Sequence, residues 1–298
     1  MTWDDTAMIV LEHPAHVFTV GWHPEGRLVA TGAVDGARLW DATTGQPLRH
    51  LQGDEVTAVA CSGTLWATGG PDGTIRIWND ADLVATLDGT AFAWHPDGTR
   101  LAVVHGERVS LWGAATGTST PWFELTRPAT AIAWSRDGRR VIAGGTAWCE
   151  GRVTDLGHSG QLGALAFSPD GARYVTSSHS HTAPVRDSSS GAEVLALDHG
   201  EAWFIGVDWS PRGDCIVTGS NDRNLRFFHP TTGELLRTVP HPDWVCAVAF
   251  SPTGTQLAIT VDGDAAHVLP LQVTVPLSQA PTRFHPCHAA HRTQRVRG

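Results

Sequence analysis

The chain has 298 residues, 41% of them apolar and only 17% charged, with 32 Gly and 18 Pro. That Gly and Pro density works against long helices, since an interior Gly costs about 1 kcal/mol and a Pro about 3. The 21 basic residues are all Arg, set against 30 acids for a net charge of −9, which excludes chemistry built on a Lys and argues against a binder of nucleic-acid backbone, which needs a basic stripe.

The five Cys (61, 149, 215, 246 and 287) are scattered and form no CxxC, so neither a disulfide framework nor a zinc ribbon is expected. The first ten residues, MTWDDTAMIV, carry acids where a signal peptide needs a basic start. No stretch approaches 18 apolar residues, so no membrane span is expected. The expected setting is a soluble, reducing, cytoplasmic one.

In chain order, AMIVLE at residues 7–12 reads as an outer strand. VFTVGW (Val17–Trp22) follows and ends in the turn WHPEG. RLVATG (Arg27–Gly32) then leads through an Asp-Gly turn to ARLW (Ala37–Trp40) and the turn ATTG (Ala42–Gly45). The unit recurs. Its bulky residue and polar-Pro-x-Gly turn return at Trp94–Gly98, Trp134–Gly138, Phe167–Gly171, Trp209–Gly213 and Phe250–Gly254, with a shortened copy at Cys61–Gly63. Successive bulky residues lie 39, 33, 40, 33, 42 and 41 positions apart, the period of a four-stranded propeller blade. The expected fold is all-β: a seven-bladed β-propeller of four-stranded antiparallel blades. The last repeat lacks a fourth strand, and the N-terminal strand pairs into it to close the ring, removing open sheet edges.

These seven copies resemble the WD-repeat family over residues 7–272. Trp40–Asp41 is a full Trp-Asp dipeptide, with Trp78–Asn79, Trp112–Gly113 and Phe228–His229 as variants. Gly157–His158 is a full Gly-His, with Glu12–His13 and Pro240–His241 as variants. The copies depart from the pattern in places. Between Gly145 and His158 the fourth repeat has room for a loop and one strand. The fifth compresses its third strand to PVRD (Pro184–Asp187), and the second lacks its Pro turn. Blades 4 and 5 are expected to be the least regular, and residues 273–298, rich in Pro, His and Arg, to be disordered.

The resemblance implies a buried His, Ser/Thr, Asp and Trp network, matched in the first repeat by His13, Thr31, Asp35 and Trp40. Thr68 with Asp72 and Trp78, and Thr218 with Asp222, are partial versions. The set imitates a catalytic triad, but its hydroxyl lies mid-strand within a blade, where it satisfies buried polar groups rather than meeting substrate. His285, Cys287, His288 and His291 of the tail read as adventitious metal ligands, and His179 and His181 as loop residues. No metal site or cofactor is expected. Cys61, Cys215 and Cys246 read as core. The tail's Arg283, Arg292, Arg295 and Arg297 suit an acidic partner or the acidic ring, against the plainer reading of a solvated end.

Most Trp repeat in register, the mark of blade packing. Trp203 and Trp244 do not. Each lies six residues before its bulky turn residue, where the first repeat has His16. These positions start the inner strands of neighbouring blades, so together they form an aromatic rim suited to protein binding, or each packs over its own loop. Trp148 is a weaker addition. The expected function is a non-catalytic protein–protein interaction platform, a scaffold or assembly subunit, as the resemblance implies. Its partners are proteins, with no nucleic acid and no membrane, and the ring itself is monomeric. The alternative is a metal-dependent hydrolase using the central channel. A third reading is a sensor piece of a larger regulatory protein.

Overall fold

The computed structural model describes residues 8–271 except 81, 158–162, 178–180, 201 and 203. The described chain forms seven four-stranded antiparallel sheets, arranged as the blades of a ring. Blade 1 runs outward through Val17–Trp22, Leu28–Ala33, Gly36–Asp41 and Pro47–Gln52. Six blades follow this sequential order. The seventh takes Val245–Phe250, Gln256–Val261 and Ala265–Pro270 from the chain's end and Ile9–Glu12 from its start. Ile9 pairs with Val268 and Leu11 with Ala266, so the ring closes as the sequence predicts.

Each blade buries both faces against its neighbours, which is why its middle strands carry apolar residues on both faces, as in Val29 and Ala30 or Ile216 and Val217. The inner strands come close because they carry small residues on the side facing the next blade. A Cβ on Gly21 would meet Val59 of blade 2 at 3.1 Å. The bulky turn residues face the preceding blade. Trp22 donates its indole N–H to Ala249 O at 2.9 Å, and Trp134 donates to Ala93 O at 3.1 Å. The turns between third and fourth strands are fixed by an aspartate: Asp41 accepts the Thr43 and Thr44 N–H groups, and Asp187 those of Ser189 and Ser190.

Blade 4 corrects the sequence expectation. It has four strands: Ile132–Trp134, Arg140–Ala143, Thr146–Cys149 and Arg152–Asp155. They fit because two-residue turns join the last three. Gly144 and Gly145 have φ of 53° and 82°, and Glu150 and Gly151 have 47° and 85°, the tight-hairpin geometry with both central residues left-handed. The blade is shortened rather than missing a strand. In blade 5 the third strand runs over Thr182–Asp187, longer than PVRD alone, and the inner strand shrinks to Leu165–Phe167.

Candidate interaction surface

The blade 1 polar network is assembled across three strands. His13 follows the closing strand, Thr31 lies on the second strand and Trp40 on the third. His13 Nε2 lies 2.8 Å from Thr31 Oγ1, and Trp40 Nε1 donates to the same oxygen at 2.7 Å. Asp35 does not meet His13. Its two oxygens are held by Arg38 at 2.8 and 2.5 Å, and Arg38 Nη1 reaches His13 Nδ1 at 3.3 Å. Arg38 is thus the link that the motif comparison missed. A guanidinium only donates, so His13 Nδ1 accepts and Nε2 carries the proton given to Thr31. Burial, with Arg38 beside the ring, pushes the His13 pKa down to about 4. The neutral imidazole is locked in one tautomer inside the blade, with Thr31 wholly buried. No substrate reaches this hydroxyl.

The same arrangement recurs with substitutions. In blade 2, Trp78 donates to Thr68 at 2.9 Å, and Arg76 pairs with both Asp72 and Asp54 at 3.0 Å. In blade 6, Arg226 pairs with Asp222, and the buried His199 ring lies 5.3 Å from Phe228, matching the 5.0 Å of His13 and Trp40. In blade 7 the rings of His241 and His267 lie 6.2 Å apart. The signals were present in the sequence: an Arg two residues before the aromatic in ARLW, TIRIW and NLRFF, and a His 18 or 19 residues before Thr31, Thr218 and Thr260.

At the opposite end of the inner strands from the Pro-x-Gly turns, blades 7 and 1 meet at Asp262. Its carboxylate lies 2.6 Å from His16 Nε2, and its backbone N–H donates to Trp244 O at 2.8 Å. The His16 ring lies 4.8 Å from Phe18. Val17 N–H donates to Gly263 O, and Val34 N–H to His16 O, so the junction is tied by backbone as well. Trp244 is 46% exposed and Val34 47%. Trp244 is a large aromatic open to solvent, whereas Trp40, Trp66, Trp112 and Trp209 are buried. The structure therefore brings His16 and Trp244 together through Asp262. Trp203 lies outside the described residues. Trp148 does not belong to this rim: it packs 4.5 Å from Trp122 in the seam of blades 3 and 4, across the ring.

Among the described residues, no group of three His, Cys, Asp or Glu side chains is placed to hold a metal ion. His181 is exposed; His158, His179 and the tail histidines lie outside the described residues. Burial pushes the Cys61 thiol up to about 12 and Cys246 to about 11, and raises Cys215 as well; Cys215 is fully buried in the core, while Cys61 and Cys246 are only half-buried. No described helix is long and apolar enough to cross a membrane.

A sequence model of the WD domain, G-beta repeat, matches residues 7–41, 45–79, 150–187, 193–229 and 233–265, together more than half of the chain. The chain belongs to the WD-repeat family. The matches cover blade 1, the first three strands of blade 2, the last strand of blade 4, blades 5 and 6 and the first two strands of blade 7, and leave residues 80–149 unmatched, with all of blade 3 and most of blade 4. Among WD-repeat relatives, the chain is 24% identical over 232 residues to eukaryotic translation initiation factor 3 subunit I of Debaryomyces hansenii, covering 77% of this chain and 52% of the relative. It is 26% identical over 253 residues to WD repeat-containing protein 1 of Mus musculus, covering 78% and 37%. It is 25% identical over 264 residues to a guanine nucleotide-binding protein subunit beta of Solanum tuberosum, covering 84% and 67%. The chain thus spans about half, or less, of the length of the first two relatives.

Proposed function

We propose that this WD-repeat ring is a non-catalytic platform for protein–protein contacts, used through the rim where blades 7 and 1 meet. The observation that carries the reading is Trp244: a large aromatic 46% exposed, on a junction held rigid by the Asp262 and Gly263 hydrogen bonds. An exposed aromatic on a rigid frame loses little entropy on docking, which suits a binding hot spot. Two of the relatives are subunits by name, which supports an assembly role. The polar networks recur with the repeat and are buried, so their service is to the fold. The free thiols fit a reducing compartment such as the cytoplasm, where the ring acts as a monomer.

The test is affinity capture from native cell extract with wild type and with Trp203→Ala/Trp244→Ala, after thermal melting has shown both folded. Specific partners held by wild type and lost by the variant are expected. Partners retained by the variant would move the binding face elsewhere. A wild type that captures nothing while copurifying with a divalent metal and hydrolysing esters would replace the platform with the hydrolase reading.

A further inference from the structure

The repeat supplies its own control for which residues are merely structural. One position before the bulky turn residue, blades 1 to 5 and 7 carry Gly21, Ala60, Ala93, Ala133, Ala166 and Ala249; blade 6 alone carries an ionisable group, Asp208. Two positions after the bulky residue, five blades carry the turn proline, and blade 4 carries Arg136. Both exceptions line the same cavity, about 540 Å³, at the mouth of the central channel, within a collar of those five prolines. Its volume lies within the usual range for small-molecule sites.

Neither charge has a counterion among the described residues. Asp208 accepts the Trp209 N–H at 2.8 Å and the Phe250 N–H at 2.7 Å. A carboxylate has about four acceptor positions, so two remain. Burial lifts its pKa to about 6, the mark of an anion lacking a cation. Arg136 is exposed and reaches across the ring to donate from Nη1 to Pro211 O at 3.3 Å, which leaves most of its fork free. Pro211 is three residues beyond Asp208, so Arg136 is hydrogen-bonded to the turn that directly follows Asp208, and both side chains line one cavity. A third polar group is unfilled. Trp209 lines the cavity, and its indole N–H is buried without a partner, as is that of Trp94 at the same register, whereas Trp22 and Trp134 donate theirs to the preceding blade.

We propose that this channel mouth binds a small zwitterion of the amino-acid or dipeptide class, its ammonium on Asp208 and its carboxylate on Arg136. A simple cation would meet Arg136 unshielded, and a simple anion would meet Asp208; a ligand carrying both charges satisfies each. An extended dipeptide separates its ends by about 7 Å, so one molecule carries the two charges apart. The site lies at the other end of the inner strands from Trp244 and does not depend on the platform reading.

Calorimetry of the full chain would use four probes: glycine, alanyl-alanine, N-acetyl-alanyl-alanine and alanyl-alanine amide. The variants are Asp208→Ala and Arg136→Pro, which give blades 6 and 4 the residues that sister blades already carry, so both rings are expected to fold, as melting will show. Alanyl-alanine should bind wild type one to one and weaken at least tenfold in each variant and on blocking either terminus. No binding of glycine or alanyl-alanine at millimolar concentration overturns the proposal. So does affinity that survives either substitution or either blocked end.

Discussion

Thr31 Oγ1 takes two buried donors, from His13 and Trp40, and so holds three strands in one register. Thr31→Val keeps the shape and orphans both. At about 1–3 kcal/mol per buried unsatisfied group, the expected loss is about 2–6 kcal/mol by urea unfolding. Thr68→Val in blade 2 orphans the Trp78 N–H alone and should cost about half as much. The buried histidines set a second prediction. His13 and His199 fall to about 4 in the folded ring, and burial lowers His267 as well. The unfolded chain therefore binds more protons between pH 6.5 and 4, and stability falls as pH drops through that window. Asp208 opposes this: its folded pKa of about 6 exceeds the unfolded value, so it gains stability as pH falls from 6 towards 3.8. Three groups outweigh one. The melting temperature should be flat above pH 7 and decline below 6.5, more steeply in Asp208→Asn.

Blades are held to one another by the face of each inner strand, and the seam of blades 3 and 4 shows how. Trp134 donates to Ala93 O, stacks on Trp122 at 5.2 Å and 17°, and meets His95 edge-on at 4.5 Å. Trp134→Ala removes all three contacts and should cost about 3–5 kcal/mol, as for other large aromatic truncations, read from chemical denaturation followed by Trp fluorescence. The repeat spacing made every inner strand legible in the sequence. Blade 4 was not, because its outer half uses two-residue turns, Gly144–Gly145 and Glu150–Gly151, joining strands of four residues. Such strands are too short for alternation to register, and Glu-Gly is not a strong hairpin signal. Arg38 was overlooked for a different reason: the recurrence of Arg38, Arg76 and Arg226 was in the sequence, but what the Arg does shows only in its distances to both Asp35 and His13.

At the scale of the ring, Ile9–Glu12 is the clasp. Leu11 is fully buried in the seam of blades 7 and 1, beside Val17, Ala258 and Val268. Leu11→Ala should cost about 2–5 kcal/mol. Deleting residues 8–12 does more, since it bares the edge of Ala265–Pro270. Light scattering should then show concentration-dependent association of the truncated chain beyond that of the intact ring.

The sequence by itself determined the number of blades, their four-strand plan and the closure. These follow from local chemistry repeated at a fixed period: an apolar strand, a turn that needs Gly, an Asp that caps the next turn. Tertiary structure decided what lies between repeats. It joined His16 to Trp244 through Asp262, set Trp148 in a seam rather than on the rim, and brought Asp208 and Arg136 of different blades to one cavity. Period and composition describe each blade along its own chain; a contact between blades depends on how the ring curves, and no single repeat records that.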